Sequence, residues 1–452
     1  MKKYINPDVT SEGRTLARAY EAQQVLTMLE EKRALTSNLM EQVCSKANLN
    51  QAYKRVMKNK GAAGVDNMTV KQLFPWIKLH KEALINSLLE GEYKPKPVRN
   101  VDIPKATGGT RQLGIPTVVD RLIQQAMAQV LEPILDPSFS ESSYGFRPGR
   151  SAHQALRQAS RYVQDDKKIV VDIDLESFFD SMNHDILMSR LARRIEDKRF
   201  LKLTRKFLQS GMMRGGMYYD RHEGAPQGGP LSPILSNLLL DDLDKELEKR
   251  GHSFCRYADD CNIYVSSQTA GERVMHSITQ FLEKKLKLRV NQAKSAVALV
   301  EERQFLGYKI LYNGKLDLAS RSVKRIKDRI RQLTKRNRGL SLEDMIKGLN
   351  QTLIGWVNYF RYASPSQLNS LDGWIRRKVR CYRLKQRKRS YAIATWLMEL
   401  RVPERRAWLI AKSSLGWWRL SATPPIHEAM SLKWFKRAGL VNLFDRAAML
   451  HV

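Results

Sequence analysis

Two adjacent carboxylates inside an apolar stretch constrain this chain more than any other feature. Arg256-Tyr257-Ala258-Asp259-Asp260-Cys261-Asn262-Ile263-Tyr264-Val265 reads as a short strand, a tight turn and a second strand. Phe254, Tyr257, Ile263, Tyr264 and Val265 are strand formers. Two unneutralised aspartates at the tip of a hairpin are costly unless a cation sits on them, and hard divalent metals take carboxylate oxygens. Read alone, the pair is more simply a solvated turn, where Asp is common. Two further stretches change that weighing. Ile169 to Asp180 is an apolar strand that releases a carboxylate near its end and then two aromatics, Phe178 and Phe179. Gly224-Ala225-Pro226-Gln227-Gly228-Gly229-Pro230-Leu231-Ser232-Pro233 is a loop that opens into the apolar run Ile234 to Leu243.

In this order the three stretches resemble the palm of reverse transcriptases, whose hairpin motif is Tyr-x-Asp-Asp. Other blocks extend the likeness. Lys58-Asn59-Lys60-Gly61-Ala62-Ala63-Gly64-Val65-Asp66 resembles the block before the fingers in group II intron polymerases. Gly355-Trp356-Val357-Asn358-Tyr359-Phe360-Arg361-Tyr362-Ala363 resembles their thumb, or maturase-specific domain. From about residue 45 onward the chain is similar to the compact, endonuclease-lacking group II intron-encoded reverse transcriptase/maturases. Nothing in its tail resembles the cysteine-paired endonuclease domain that many relatives carry. The resemblance implies an α+β fold: a right-hand polymerase whose fingers and palm use an antiparallel sheet, then an α-helical thumb and a short basic C-terminal region. The expected divisions are an N-terminal helical extension over 1–45, fingers and palm over 46–315, thumb over 316–390 and a basic nucleic-acid-binding region over 391–452.

The chemistry that this resemblance implies is attack of a primer 3′-hydroxyl on the α-phosphate of a dNTP, with two Mg²⁺ ions in the site and Mn²⁺ as a substitute. Asp174, Asp259 and Asp260 are the expected metal ligands. Asp174 is preferred because the family spacing sets four residues between the aspartate and an aromatic, here Phe179. Asp172, two residues back on the same strand face, is the runner-up. Phe179 is expected against the sugar 2′ position and Phe178 in the core. Gln227 and Gly228 are expected on the nascent pair and nucleotide, and Lys294 near the nucleotide's phosphates.

Val98 to Pro116 reads as a hairpin turning at Thr107-Gly108-Gly109, with Lys105 and Arg111 on its two arms. Two cations facing each other invite an anion between them, and beside palm motifs a nucleoside triphosphate suits. The loop Ser143 to His153 carries Arg147 and Arg150 among aromatics and glycines, which suits template contact.

Charge adds a partner. The 452 residues carry a net +32, and from residue 320 onward there are 29 Lys and Arg against 8 Asp and Glu. Such an excess implies a polyanion. Val323, Ile326, Ile330 and Leu333 form one helical stripe, with Lys324, Arg325 and other cations opposite. Arg376, Arg377, Lys378 and Arg380 continue the basic surface, and RNA contact is expected there. No apolar run is long enough to span a bilayer. The first residues lack the apolar segment of a signal peptide, so a cytoplasmic protein is expected. Cys44, Cys255, Cys261 and Cys381 make no Cys-x-x-Cys pair and read as core thiols. The expected function is an RNA-directed DNA polymerase that is also a maturase for its host intron RNA, assisting splicing and retrohoming. Its partners would be that RNA, an RNA template, a DNA primer and dNTPs. The sequence leaves open a homodimer. It also leaves open a second reading, a domesticated polymerase of defence or DNA repair without an intron.

Overall fold

A computed structural model describes residues 36–104 and 109–450. Most of the expected N-terminal extension, and the hairpin turn with Lys105, lie outside these residues. The chain divides into two compact units. One comprises Met1–Ala155 and Val171–Val297, and the other Leu156–Val170 and Ala298–Val452.

The first unit is built on two four-stranded sheets. Strand β1 (Val98–Pro104) pairs antiparallel with β2 (Thr110–Ile115), from Arg99 opposite Ile115 to Pro104 opposite Thr110. After β3 (Ile169–Ile173) come β4 (Met212–Arg214), which joins β1 in parallel, and β5 (Met217–Tyr219), which joins β4 antiparallel. That sheet has the order β2-β1-β4-β5. The second sheet has the order β6-β7-β3-β8, with β6 at Ser253–Tyr257, β7 at Asp260–Val265 and β8 at Ala296–Leu299. Its central strands are apolar: Val170, Val171 and Ile173 on β3 and Cys261 and Ile263 on β7 are buried. The helix Ser232–Lys249 buries Ile234, Leu235, Leu238, Leu239, Leu243 and Leu247 in the same core. The helix Val118–Leu135 starts where the Thr117 hydroxyl accepts the Asp120 amide, a side-chain cap on an otherwise orphan donor. The four cysteines are free and buried.

Beyond Ala298 the second unit contains a small hairpin, β9 (Tyr308–Ile310) on β10 (Leu316–Leu318). The apolar run that starts at Phe305 becomes strand only at Tyr308. Leu306 and Gly307 both adopt positive φ (51° and 81°), so Phe305 and Tyr308 close a two-residue turn on each other. Helices Ser320–Leu333, Leu342–Tyr359, Pro365–Arg387, Ser390–Glu399 and Glu404–Ala411 follow, then shorter ones to Leu443–Met449. Ile326, Ile330, Leu349, Leu353, Val357, Ile375 and Val379 are buried within this unit. The Asp372 carboxylate accepts the amides of Leu443 and Phe444, which ties the last helix to Pro365–Arg387. The chain is thus α+β with mostly antiparallel pairing, and no helix among the described residues is long and apolar enough to cross a membrane.

Candidate active site

The site is organised by the β6–β7 turn. Tyr257 pairs with Asp260, which leaves Ala258 and Asp259 as a two-residue loop. Such loops require positive φ at the first central position, and Ala258 supplies it at 61° despite its Cβ. A buried polar network holds this turn. Arg256 and Asp244 are fully buried side chains joined by two bonds, Nε to Oδ1 at 2.6 Å and Nη2 to Oδ2 at 2.5 Å. Arg256 also donates to Ala258 O at 2.9 Å, Asn237 Oδ1 at 3.0 Å and Ser143 Oγ at 2.7 Å. Burial alone would push this guanidinium down, but the Asp244 charge and bonds outweigh burial and hold it above its ordinary value. The turn's own carbonyl is therefore bonded to a cation that cannot leave.

Asp174 follows β3, the strand beside β7. Its amide donates to Ser295 Oγ at 3.0 Å and its carbonyl accepts the Asn291 amide at 2.8 Å. Lys294, on the same short segment, reaches the Asp174 carboxylate at 3.4 Å. The Lys294 and Asp174 side chains are 63% and 41% exposed, so the pair contributes little to stability. Asp174, Asp259 and Asp260 are all half-buried. Among the described residues, no three or more His, Cys, Asp or Glu side chains cluster closely enough to hold a metal ion. The chemistry of the donors nevertheless fits a hard divalent cation: half-buried carboxylates at a strand end and at the tip of the adjacent hairpin, one of them with an ammonium as counter-charge.

Phe178 and Phe179 part at a single backbone feature. Ser177 sits at φ 46°, and the 3-10 turn Phe178–Asp180 follows. Phe178 is buried, Phe179 is half-buried, and their rings meet edge to face at 5.2 Å. The loop with Gln227 and Gly228 is fastened on two sides. Ala225 donates to Phe179 O and Gly224 to Met182 O, each at 2.7 Å, while Gly114 on β2 donates to Gln227 O at 3.0 Å. A Cβ on Gly228, whose φ is 127°, would lie 2.8 Å from Gly114 O, so the close approach of loop to strand requires glycine. His184 Nε2 donates to Gly224 O at 2.7 Å. Burial pushes this imidazole down, against the opposing effect of its bond to Gly224 O. Arg111 stands exposed on β2 opposite Ile103.

The basic residues divide in two. Arg147 is not a template contact here. It is buried, and it bonds Asp136 Oδ1 at 2.6 Å, Asp136 O at 2.9 Å, Ser140 O at 2.5 Å and Ser143 O at 3.0 Å, leaving the head no face for phosphate. Arg380 is buried likewise, bonding Met430 O at 2.9 Å and His427 Nε2 at 3.2 Å. Arg150 pairs with Glu141 and lies over the Tyr144 ring at 5.9 Å. Lys324 and Arg325 are exposed, and Arg376 is half-buried. In the second unit Lys327, Arg331 and Lys378 lie 5.4–5.7 Å from the Trp374 ring centre. Arg377 lies 3.8 Å and Lys378 4.9 Å from that of Trp418. Reading the sequence missed Arg256, Asp244 and Asn237 as supports of the turn. A signal existed: Asn237 and Asp244, seven residues apart, are polar residues on the apolar stripe of one helix.

Comparison with known proteins identifies the family. The family described as Reverse transcriptase (RNA-dependent DNA polymerase) matches residues 103–310. The Group II intron, maturase-specific domain matches residues 323–399. Protein YkfC of Escherichia coli (strain K12) is 34% identical over 304 residues, 58% of this chain and 80% of that protein. Group II intron-encoded protein LtrA of Lactococcus lactis subsp. cremoris is 39% identical over 197 residues, 43% of this chain but only 32% of that protein.

Proposed function

The chain belongs to the RNA-directed DNA polymerases of the group II intron type, and from that premise we propose that it copies RNA into cDNA at Asp174, Asp259 and Asp260 and serves its host intron RNA as a maturase in splicing and retrohoming. The observation that carries the reading is a two-aspartate turn, clamped by the buried Arg256 network beside the strand that delivers Asp174. Catalysis in this family depends on a divalent metal. We assign Mg²⁺, with Mn²⁺ as a substitute, to the three carboxylates. When bound, the ions acidify the primer hydroxyl and offset charge on the departing pyrophosphate. The protein's own part is orientation. Arg256 fixes the carbonyl of Ala258 and hence the direction of Asp259. The Gly224–Gly229 segment, fastened to Phe179 and β2, sets Gln227 and Gly228 beside the nucleotide. Phe179 limits space at the sugar 2′ position. Arg111, with Lys105, and Lys294 supply positive charge for the triphosphate. In domain terms we assign 1–45 to an N-terminal extension, 46–315 to fingers and palm, 316–390 to the thumb and 391–452 to a basic C-terminal region.

The test is primer extension on an RNA template with purified Asp174→Asn and Asp259→Asn variants. Extension should fall about a thousandfold or more, because metal-held charge stabilisation is worth several kcal/mol. Melting temperature and affinity for the primed template should stay near wild type. A double variant that extends at the normal rate would remove these aspartates from the mechanism.

A further inference from the structure

Phe146 combines exposure with an unfavourable backbone conformation. It is 52% exposed, and its backbone sits at φ 57°. That conformation is an outlier for a bulky L-residue and persists only where its surroundings impose it. Here they do, on both sides. Gly145 approaches the catalytic turn so closely that a Cβ on it would lie 2.3 Å from Ala258 N. Its carbonyl accepts Asn237 Nδ2 at 2.8 Å. On the other side, all four bonds of Arg147 go to the protein's own oxygens. The segment before is also tied to β6, since Tyr144 N bonds Arg256 O and Arg256 N bonds Ser142 O, each at 2.9 Å. The backbone that carries Phe146 is therefore held in place, and its ring lies 6.5 Å from that of Tyr257, tilted 41° to it. Its flank lines a cavity of about 110 Å³ with Pro148, Pro230, Pro233 and Ile234, at the far end of the segment that carries Gln227. A buried network and a strained residue thus hold an aromatic face in solvent between two catalytic segments.

We propose that Phe146 is a nucleic-acid contact of the polymerase site, its exposed face packing on the sugar or base of the duplex at the primer terminus, beside Tyr257. Sugar and base faces are the apolar surfaces that nucleic acid offers. An aromatic ring meets them without reading sequence, as a polymerase copying any template requires. The inference rests on the polymerase reading above.

The test uses full-length Phe146→Gly, which removes the ring and relieves the positive φ, with Phe146→Tyr as the variant that keeps an aromatic face. Phe146→Gly should melt at or above the wild-type temperature. It should bind a primed RNA template about tenfold more weakly, the lower part of the range for removing one aromatic ring from a stacked base. Phe146→Tyr should restore binding. An abasic site placed at the primer terminus, or in the template opposite it, distinguishes the strands: the one touched is the one whose lesion weakens wild type and leaves Phe146→Gly unaffected. Wild-type affinity in Phe146→Gly overturns the proposal. So does a large fall in melting temperature with binding intact, which would make the ring structural. Affinity is measured without turnover, so a wild-type protein that binds but does not extend would count against the polymerase reading alone.

Discussion

Ser177 decides which of two neighbouring aromatics stays partly open to solvent. Its left-handed backbone turns the chain after β3, so that Phe178 is sealed in the core while Phe179 stays half-open beside Ala225. The two rings touch, but their removal should have different consequences. Phe178→Ala would empty a buried site and lower stability by about 3–5 kcal/mol, seen as an early denaturation midpoint. Under the role proposed for Phe179 at the 2′ position, Phe179→Ala would cost less stability and raise ribonucleotide incorporation relative to deoxyribonucleotide. Competition between NTP and dNTP on one template measures this. The opposite pairing of effects would exchange the roles of the two rings.

The β6–β7 hairpin carries the two adjacent aspartates, and its support is long-range. Arg256 bonds Asp244 and Asn237 on the helix Ser232–Lys249 and the carbonyl of Ala258 on its own turn. Asp244→Asn or Arg256→Met alone leaves an unpaired or poorly partnered buried group and should cost about 3–5 kcal/mol. The double replacement Asp244→Leu with Arg256→Met removes both charges and should recover part of that loss but not all of it, because Ala258 O, Asn237 Oδ1 and Ser143 Oγ lose their donor. It should still polymerise slowly, with kcat reduced and primer-template affinity kept, because Ala258 O has no donor there. A double variant with wild-type kcat would make the network structural only. This element also shows what a residue string discloses. The hairpin itself was legible, since strand formers alternate around two acids. So was the loop from Gly224, whose glycines mark close approach. The partners of Arg256 were not, because two polar residues inside an apolar helical run carry no sign of what they face. Arg147 misled for the same reason. In sequence it is a loop arginine near glycines, and only tertiary packing shows that Asp136, Ser140 and Ser143 occupy it. The break at Leu306-Gly307 was hidden because a leucine at positive φ contradicts local preference.

At the scale of the whole molecule, charge sets the partner and salt should control affinity. The residues from 320 onward hold 29 of the chain's 78 basic residues against 8 of its 46 acidic ones. Several of these cations have aromatic partners: three lie near Trp374, and Lys378 lies near both Trp374 and Trp418. Tryptophan faces arrange cations without neutralising them, so the charge stays available to phosphate. Lys324 and Arg325 are exposed and Arg376 is half-buried, whereas Arg380 spends its head on Met430 and His427. The two kinds of arginine should therefore separate in experiment. Lys324→Ala with Arg325→Ala should leave the melting temperature unchanged and weaken RNA binding. It should also flatten the dependence of log affinity on log salt by about 0.7–0.9 for each phosphate no longer neutralised. Arg380→Ala should lower the melting temperature first, since it unties the C-terminal helices from Pro365–Arg387. Charge alone gives binding without preference, and RNA is told apart by shape and by unpaired loops. If the maturase role holds, wild type should favour its own intron RNA over an unrelated RNA of equal length at physiological salt. Asp259→Asn should still promote splicing, which needs RNA folding and no polymerisation. Equal affinity for the two RNAs, together with no splicing support, would leave a polymerase without a maturase.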